Sequence, residues 1–140
     1  MKTFPFVPQA ACIPFRTRGE LTEILLIRWA NSEDWGVPKG VIEDGNTARQ
    51  TALIEAFEEA GIEGDLLDKD LGGFAYEKGG RDLRVRVYAM RVRRELDEWD
   101  EKNVRERQWY PAEKAAKLVS REPLRDMIRT LVERIPWAGD

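Results

Sequence analysis

Three glutamates, Glu55, Glu58 and Glu59, stand at i, i+3 and i+4. On an α-helix that spacing makes their carboxylates neighbours on one surface. Adjacent like charges destabilise a helix unless something neutralises them. A hard divalent cation does so through oxygen ligands, and Mg²⁺ typically binds through one or two carboxylates plus substrate phosphates. Just upstream lies Gly36-Val37-Pro38-Lys39-Gly40, followed by Glu43 and Gly45. Such a Gly/Pro-shaped loop can bring backbone N–H groups and Lys39 up to phosphate beside a helix N-terminus. A phosphate-shaped loop feeding a carboxylate-rich helix points to metal-assisted hydrolysis of a phosphate compound.

The composition narrows the chemistry further. The chain has no histidine, which excludes Ser/His and Cys/His nucleophiles, His-ligated zinc and a His general base. Its single cysteine, Cys12, sits in an apolar run. It can form no intrachain disulfide and reads as a small buried hydrophobe of a protein in a reducing, cytoplasmic compartment. Lys+Arg 23 against Asp+Glu 26 gives a formal charge of -3. That balance argues against DNA or RNA binding through a broad basic surface. No run reaches the ~18 apolar residues of a membrane span, and no signal-peptide core opens the chain.

The elements that must position these groups follow from periodicity. Thr47 to Ala60 is the clearest helix, with a Thr47/Gln50 capping box and Gly61 as its stop. Its wheel places Leu53, Ala56, Phe57 and Ala60 on one arc, expected to face the core, with the three glutamates nearly opposite and directed to solvent. Ala10–Phe15, Ile24–Trp29, Leu66–Tyr76, Arg84–Val92 and Val104–Tyr110 are expected to be extended, with a break at Gly72-Gly73. Ala112–Val119 and Pro123–Ile135 are expected to be helices. Strands and helices interleave, so the expected class is α/β or α+β, in one layered domain spanning residues 1–140. Arg84 and Arg86 share a strand face, and Arg81, Arg105 and Arg107 could lie near them. Arginine forks suit phosphate, so Lys39, Arg84, Arg86 and Arg107 are the expected substrate-binding residues.

At this level the chain resembles the Nudix hydrolases. Their signature is a Gly, five residues, Glu, seven residues, Arg-Glu, a hydrophobe, any residue, Glu-Glu, any residue, Gly and a hydrophobe. Gly40 matches the first position, and Glu55, Ala56, Glu58, Glu59, Gly61 and Ile62 match the second half in register. Two positions depart: Asn46 replaces the first Glu and Ile54 replaces the Arg. Ala10–Arg16, Trp35–Gly40, Leu96–Glu101 and Arg105–Tyr110 are similar to the branch that hydrolyses diphosphoinositol and diadenosine polyphosphates. The resemblance implies an α/β/α sandwich around a mixed sheet and hydrolysis of a phosphoanhydride in a nucleotide or inositol polyphosphate. It also implies Mg²⁺ or Mn²⁺ on Glu55, Glu58 and Glu59. One of these glutamates, or a loop carboxylate such as Glu77 or Glu106, would be the general base. Ile54 removes a cation expected beside Glu58. A ligand-sensing module with weakened catalysis and an RNA 5′-end pyrophosphohydrolase are therefore the alternatives. The sequence leaves a homodimer open.

Overall fold

The computed structural model describes residues 5–135. Seven strands form one mixed sheet: β1 (Val7–Arg18), β2 (Leu21–Trp29), β3 (Lys39–Val41), β4 (Ile62–Leu66), β5 (Gly72–Lys78), β6 (Arg81–Glu95) and β7 (Arg105–Pro111). The helices are α1 (Ala48–Ala60), α2 (Ala112–Leu118) and α3 (Glu122–Arg134). The main path runs β4-β6-β1-β2-β7, with β3 paired to β1 and β5 paired to β6. β1 and β6 run parallel, and the other strand pairs are antiparallel.

β1 lies between neighbours and is covered on both faces, which is why Ala10 to Phe15 is a continuous apolar run rather than an alternating one. Along β6 the alternation is clean. Val85, Val87 and Ala89 join the core under α2 and α3, and Tyr88 and Met90 join the core under α1. The sheet is thus sandwiched, with the acidic helix on one face and the C-terminal helices on the other.

One expectation is corrected by the packing of α1. Ala52, Ala56 and Ala60, spaced by four, are fully buried, whereas Leu53 is 38% and Phe57 45% exposed. The apolar arc is therefore rotated: small alanines let the helix axis lie close to the sheet, and the larger side chains point outward. The same rotation carries Glu59 inward, to 8% exposure. The three glutamates do not form a solvent-directed face.

Candidate active site

Both ends of α1 are tied down. Thr47 accepts the Gln50 N–H at 3.0 Å and donates its own N–H to the Gln50 side chain at 2.8 Å, completing the capping box. At the other end Gly61 adopts φ +64°, and its open face is covered by the Trp99 indole, which a Cβ at Gly61 would strike. Trp99 Nε1 donates to the Glu59 carbonyl at 3.1 Å. Arg107 donates to the carbonyls of Ala60 (2.8 Å), Gly61 (3.3 Å) and Leu96 (2.7 Å), with its guanidinium 4.0 Å from the Trp99 ring centre. These carbonyls are the orphan acceptors of a helix C-terminus and the chain beyond it, and a guanidinium is well suited to satisfy them. Arg107 thus holds the helix end, and it lines neither of the two clefts described below.

The turn that bears Trp99 also delivers a fourth carboxylate. Glu101 N–H donates to the Glu58 carbonyl at 3.1 Å, folding this β6–β7 connection against α1. Arg105 then bridges two acids: Nε to Glu101 Oε1 at 2.9 Å and Nη2 to Glu59 Oε2 at 3.4 Å. The Arg105 and Glu59 side chains are both 11% exposed. The guanidinium stacks 3.5 Å from the Trp29 ring centre. Glu59 Oε1 accepts the Lys39 N–H at 3.1 Å, and the Glu55 and Glu59 carboxyls act electrostatically on one another. Glu106, proposed above as a base, is instead paired with Arg28 at 2.7 Å, and Glu77 lies exposed on β5.

The electrostatics follow from this geometry. Burial pushes Glu59 up to about 7, opposed by Arg105 and the Lys39 N–H and assisted by Glu55 and Glu101. Glu55 is raised as well, first by burial and then by Glu58. A carboxyl raised in the fold stabilises it below the ordinary value of 4.5, and that contribution is lost as pH rises through about 7. In the metal-free protein, wild-type melting temperature should therefore fall relative to Glu59→Gln between pH 5 and pH 8. Thermal melts in EDTA measure this, and parallel curves would contradict it.

The donors are all carboxylate oxygens, the chemistry a hard divalent cation requires. Among the described residues no three His, Cys, Asp or Glu side chains are grouped so as to hold a metal ion. Glu55 is coupled electrostatically to both Glu58 and Glu59, the other two acids of the expected set. Close approach of β3 to α1 depends on Gly40, where a Cβ would overlap the Glu55 carboxylate. Gly40→Ala meets only that flexible side chain. It should leave the melting temperature nearly unchanged yet displace Glu55 and lower kcat on the order of tenfold or more. A rise in KM with kcat intact would show that Glu55 is not in the reacting centre.

Glu59 lines a cleft of about 500 Å³, in which Arg28, Lys39, Lys78, Arg105 and Arg121 outnumber Asp34 and Glu59. The aromatic rings near these cations hold them: Arg28 stacks on Trp35 at 4.5 Å, and Tyr76 carries Arg121 at 3.9 Å and Lys39 at 5.5 Å. Of the expected substrate residues, only Lys39 is here. Arg84 and Arg86 project from the opposite face of β6, beside Pro8 and Ala10 on the α1 side, and line a different cleft. Strand alternation alone separates them from Lys39.

These features find counterparts in known proteins. The NUDIX domain family matches residues 5–131, and the chain belongs to it: its class is that of the Nudix hydrolases. Among curated relatives, the mitochondrial Nudix hydrolase 16 of Arabidopsis thaliana is 33% identical over 124 residues, covering 76% of this chain and 68% of that protein. The human diphosphoinositol polyphosphate phosphohydrolase 2 is 36% identical over 117 residues, covering 81% of this chain and 63% of that protein. The chain therefore spans about two thirds of these relatives' length. A Caenorhabditis elegans Ap4A hydrolase structure superimposes with a TM-score of 0.78 at 22% identity, covering 91% of this chain and 96% of that one. That likeness is one of fold.

Proposed function

We propose that this protein is a metal-dependent pyrophosphohydrolase that cleaves a phosphoanhydride bond in a nucleotide or inositol polyphosphate. The observation that supports it best is buried Glu59, with half-buried Glu55 one turn away on α1, at a cleft with five cations. Glu55 and Glu59 would hold Mg²⁺ or Mn²⁺, with Glu58 beside them. The ion, when bound, polarises a phosphoryl oxygen and lowers the pKa of bound water. Lys39, Arg28 and Arg121 grip the phosphates and orient the scissile anhydride. Arg105 fixes Glu59 and Glu101 in single positions, and Glu101 accepts the proton of the attacking water. The buried lone thiol of Cys12 suits a reducing, cytoplasmic setting. No helix among the described residues is long and apolar enough to cross a membrane.

A panel of dinucleoside polyphosphates, inositol pyrophosphates and 5′-triphosphorylated RNA, assayed for phosphate release with Mg²⁺ and Mn²⁺, tests this reading. Turnover of at least one small polyphosphate is expected, and binding without turnover across the panel would favour the sensing module. The two departures from the family signature bear on that choice. Ile54 is 39% exposed on α1, while the counter-charge to the acids comes from Arg105 on β7. With the neutralising cation supplied from another strand, Asn46→Glu combined with Ile54→Arg should change kcat by less than about threefold. A tenfold gain, about 1.4 kcal/mol of barrier, would mean that Arg105 does not compensate.

A further inference from the structure

A second cleft, about 740 Å³, is separate in its lining from most of the acidic one. It lies on the α1 face of the sheet where β5, β6 and β1 run beyond the reach of the helix. Its floor is small and apolar because Pro8, Gly73, Ala75 and Ala48 have little or no side chain to raise it, and Ile42 closes one side. Arg84 and Arg86 both stand on this face, in register with Ala75 and Gly73 of β5. Arg84 donates to Asp82 through Nε and Nη2, each at 3.3 Å, and stacks 4.3 Å from the ring centre of Phe6, which also lines the cleft, while Arg86 lies 3.9 Å from Asp70; the two side chains stay 56% and 62% exposed. Exposed pairs of this kind contribute little and exchange readily for a better anion. Ala48, the first residue of α1, also lines the cleft, and the first helical turn has no acidic residue to offset its positive end. A largely apolar cleft with two exposed guanidinium forks and the Phe6 ring at its edge fits a phosphate monoester carried on an apolar, aromatic body.

We propose that this cleft is a second ligand site, for a phosphorylated aromatic molecule such as a nucleoside monophosphate, separate from the hydrolytic cleft. Lys39, in register with Ala11, and Arg84, in register with Pro8, stand on opposite faces of the sheet, and Phe74 lines both clefts. Occupancy beside the start of α1 and the chain leading from β3 would bear on the segment that also sets Gly40 against Glu55.

The test reads binding, not turnover, and so stands apart from the hydrolase assignment. Amide spectra of the ¹⁵N-labelled protein are recorded in EDTA during titration with AMP, adenosine and inorganic phosphate. AMP is expected to shift Gly72, Gly73 and Ala75 saturably, with adenosine and phosphate each binding at least about tenfold more weakly. Arg84→Gln with Arg86→Gln should weaken AMP at these amides about tenfold or more and move kcat/KM of hydrolysis less than about threefold. Ala75→Tyr, which fills the floor, should do the same at an unchanged melting temperature. Shifts confined to Gly36 and Val37 of the acidic cleft would overturn the proposal. So would a tenfold rise in KM for the hydrolysed polyphosphate in the arginine double variant, since that would put both arginines on the substrate's path.

Discussion

Glu59→Gln is expected to lower turnover at saturating Mg²⁺ on the order of a hundredfold or more, about 2.7 kcal/mol of barrier. Glu59 is the acid on which the site converges. It receives the Lys39 N–H and the Arg105 guanidinium, and its charge is coupled to that of Glu55. Gln keeps the length and can still accept from Lys39, so the fold should survive. It loses the charge, and with it the capacity to bind a cation tightly between itself and Glu55. Metal affinity measured by calorimetry should fall in parallel with kcat, while substrate affinity contributed by Lys39, Arg28 and Arg121 should change little. Wild-type turnover in the Gln variant would displace Glu59 from the centre of the account.

Arg107→Ala should unfold the protein more easily by about 3 kcal/mol, roughly 10 °C in Tm. The guanidinium satisfies three carbonyls where α1 ends and covers the indole that fills the space above Gly61. Removing it leaves those acceptors without their charged donor and loosens Trp99, which donates to the Glu59 carbonyl. Activity should fall with temperature well before it falls at 10 °C. A substrate-binding arginine would behave in the opposite way, raising KM with little change in Tm, and calorimetry beside kinetics separates the two.

Much of this architecture was legible in the residues. Thr47, Gln50 and Gly61 mark the limits of α1 because caps depend on local chemistry that spacing reveals. The break at Gly72-Gly73 and the alternation along Arg84–Val92 also have local causes. The orientation of α1 did not, because Leu53 and Phe57 carry more hydrophobicity than the alanines that actually pack. A helix pressed against a sheet is selected for small size as much as for apolarity. Glu55 and Glu59 were visible by their period, but the place of Glu101 and Arg105 was not: Arg105, expected near Arg84 and Arg86, instead pairs with Glu59 and Glu101. Glu101 and Arg105 reach α1 only because the turn around Trp99 folds back onto Gly61, a contact some forty residues long in sequence. Arg28, Lys78 and Arg121 come from three different elements and share no spacing. Arg84 and Arg86 were correctly placed on one strand face, but strand alternation does not say which helix layer that face meets.

The most direct measurement of the central claim is ³¹P NMR of a dinucleoside tetraphosphate and a diphosphoinositol polyphosphate incubated with the protein, first in Mg²⁺ and then in excess EDTA, beside the Glu59→Gln variant. The account predicts anhydride resonances of at least one of them converting to terminal phosphate signals with Mg²⁺, arrest on chelation, and conversion on the order of a hundredfold slower in the variant. Conversion that continues in EDTA, or that proceeds equally in Glu59→Gln, would contradict a cation-dependent site built on Glu55 and Glu59.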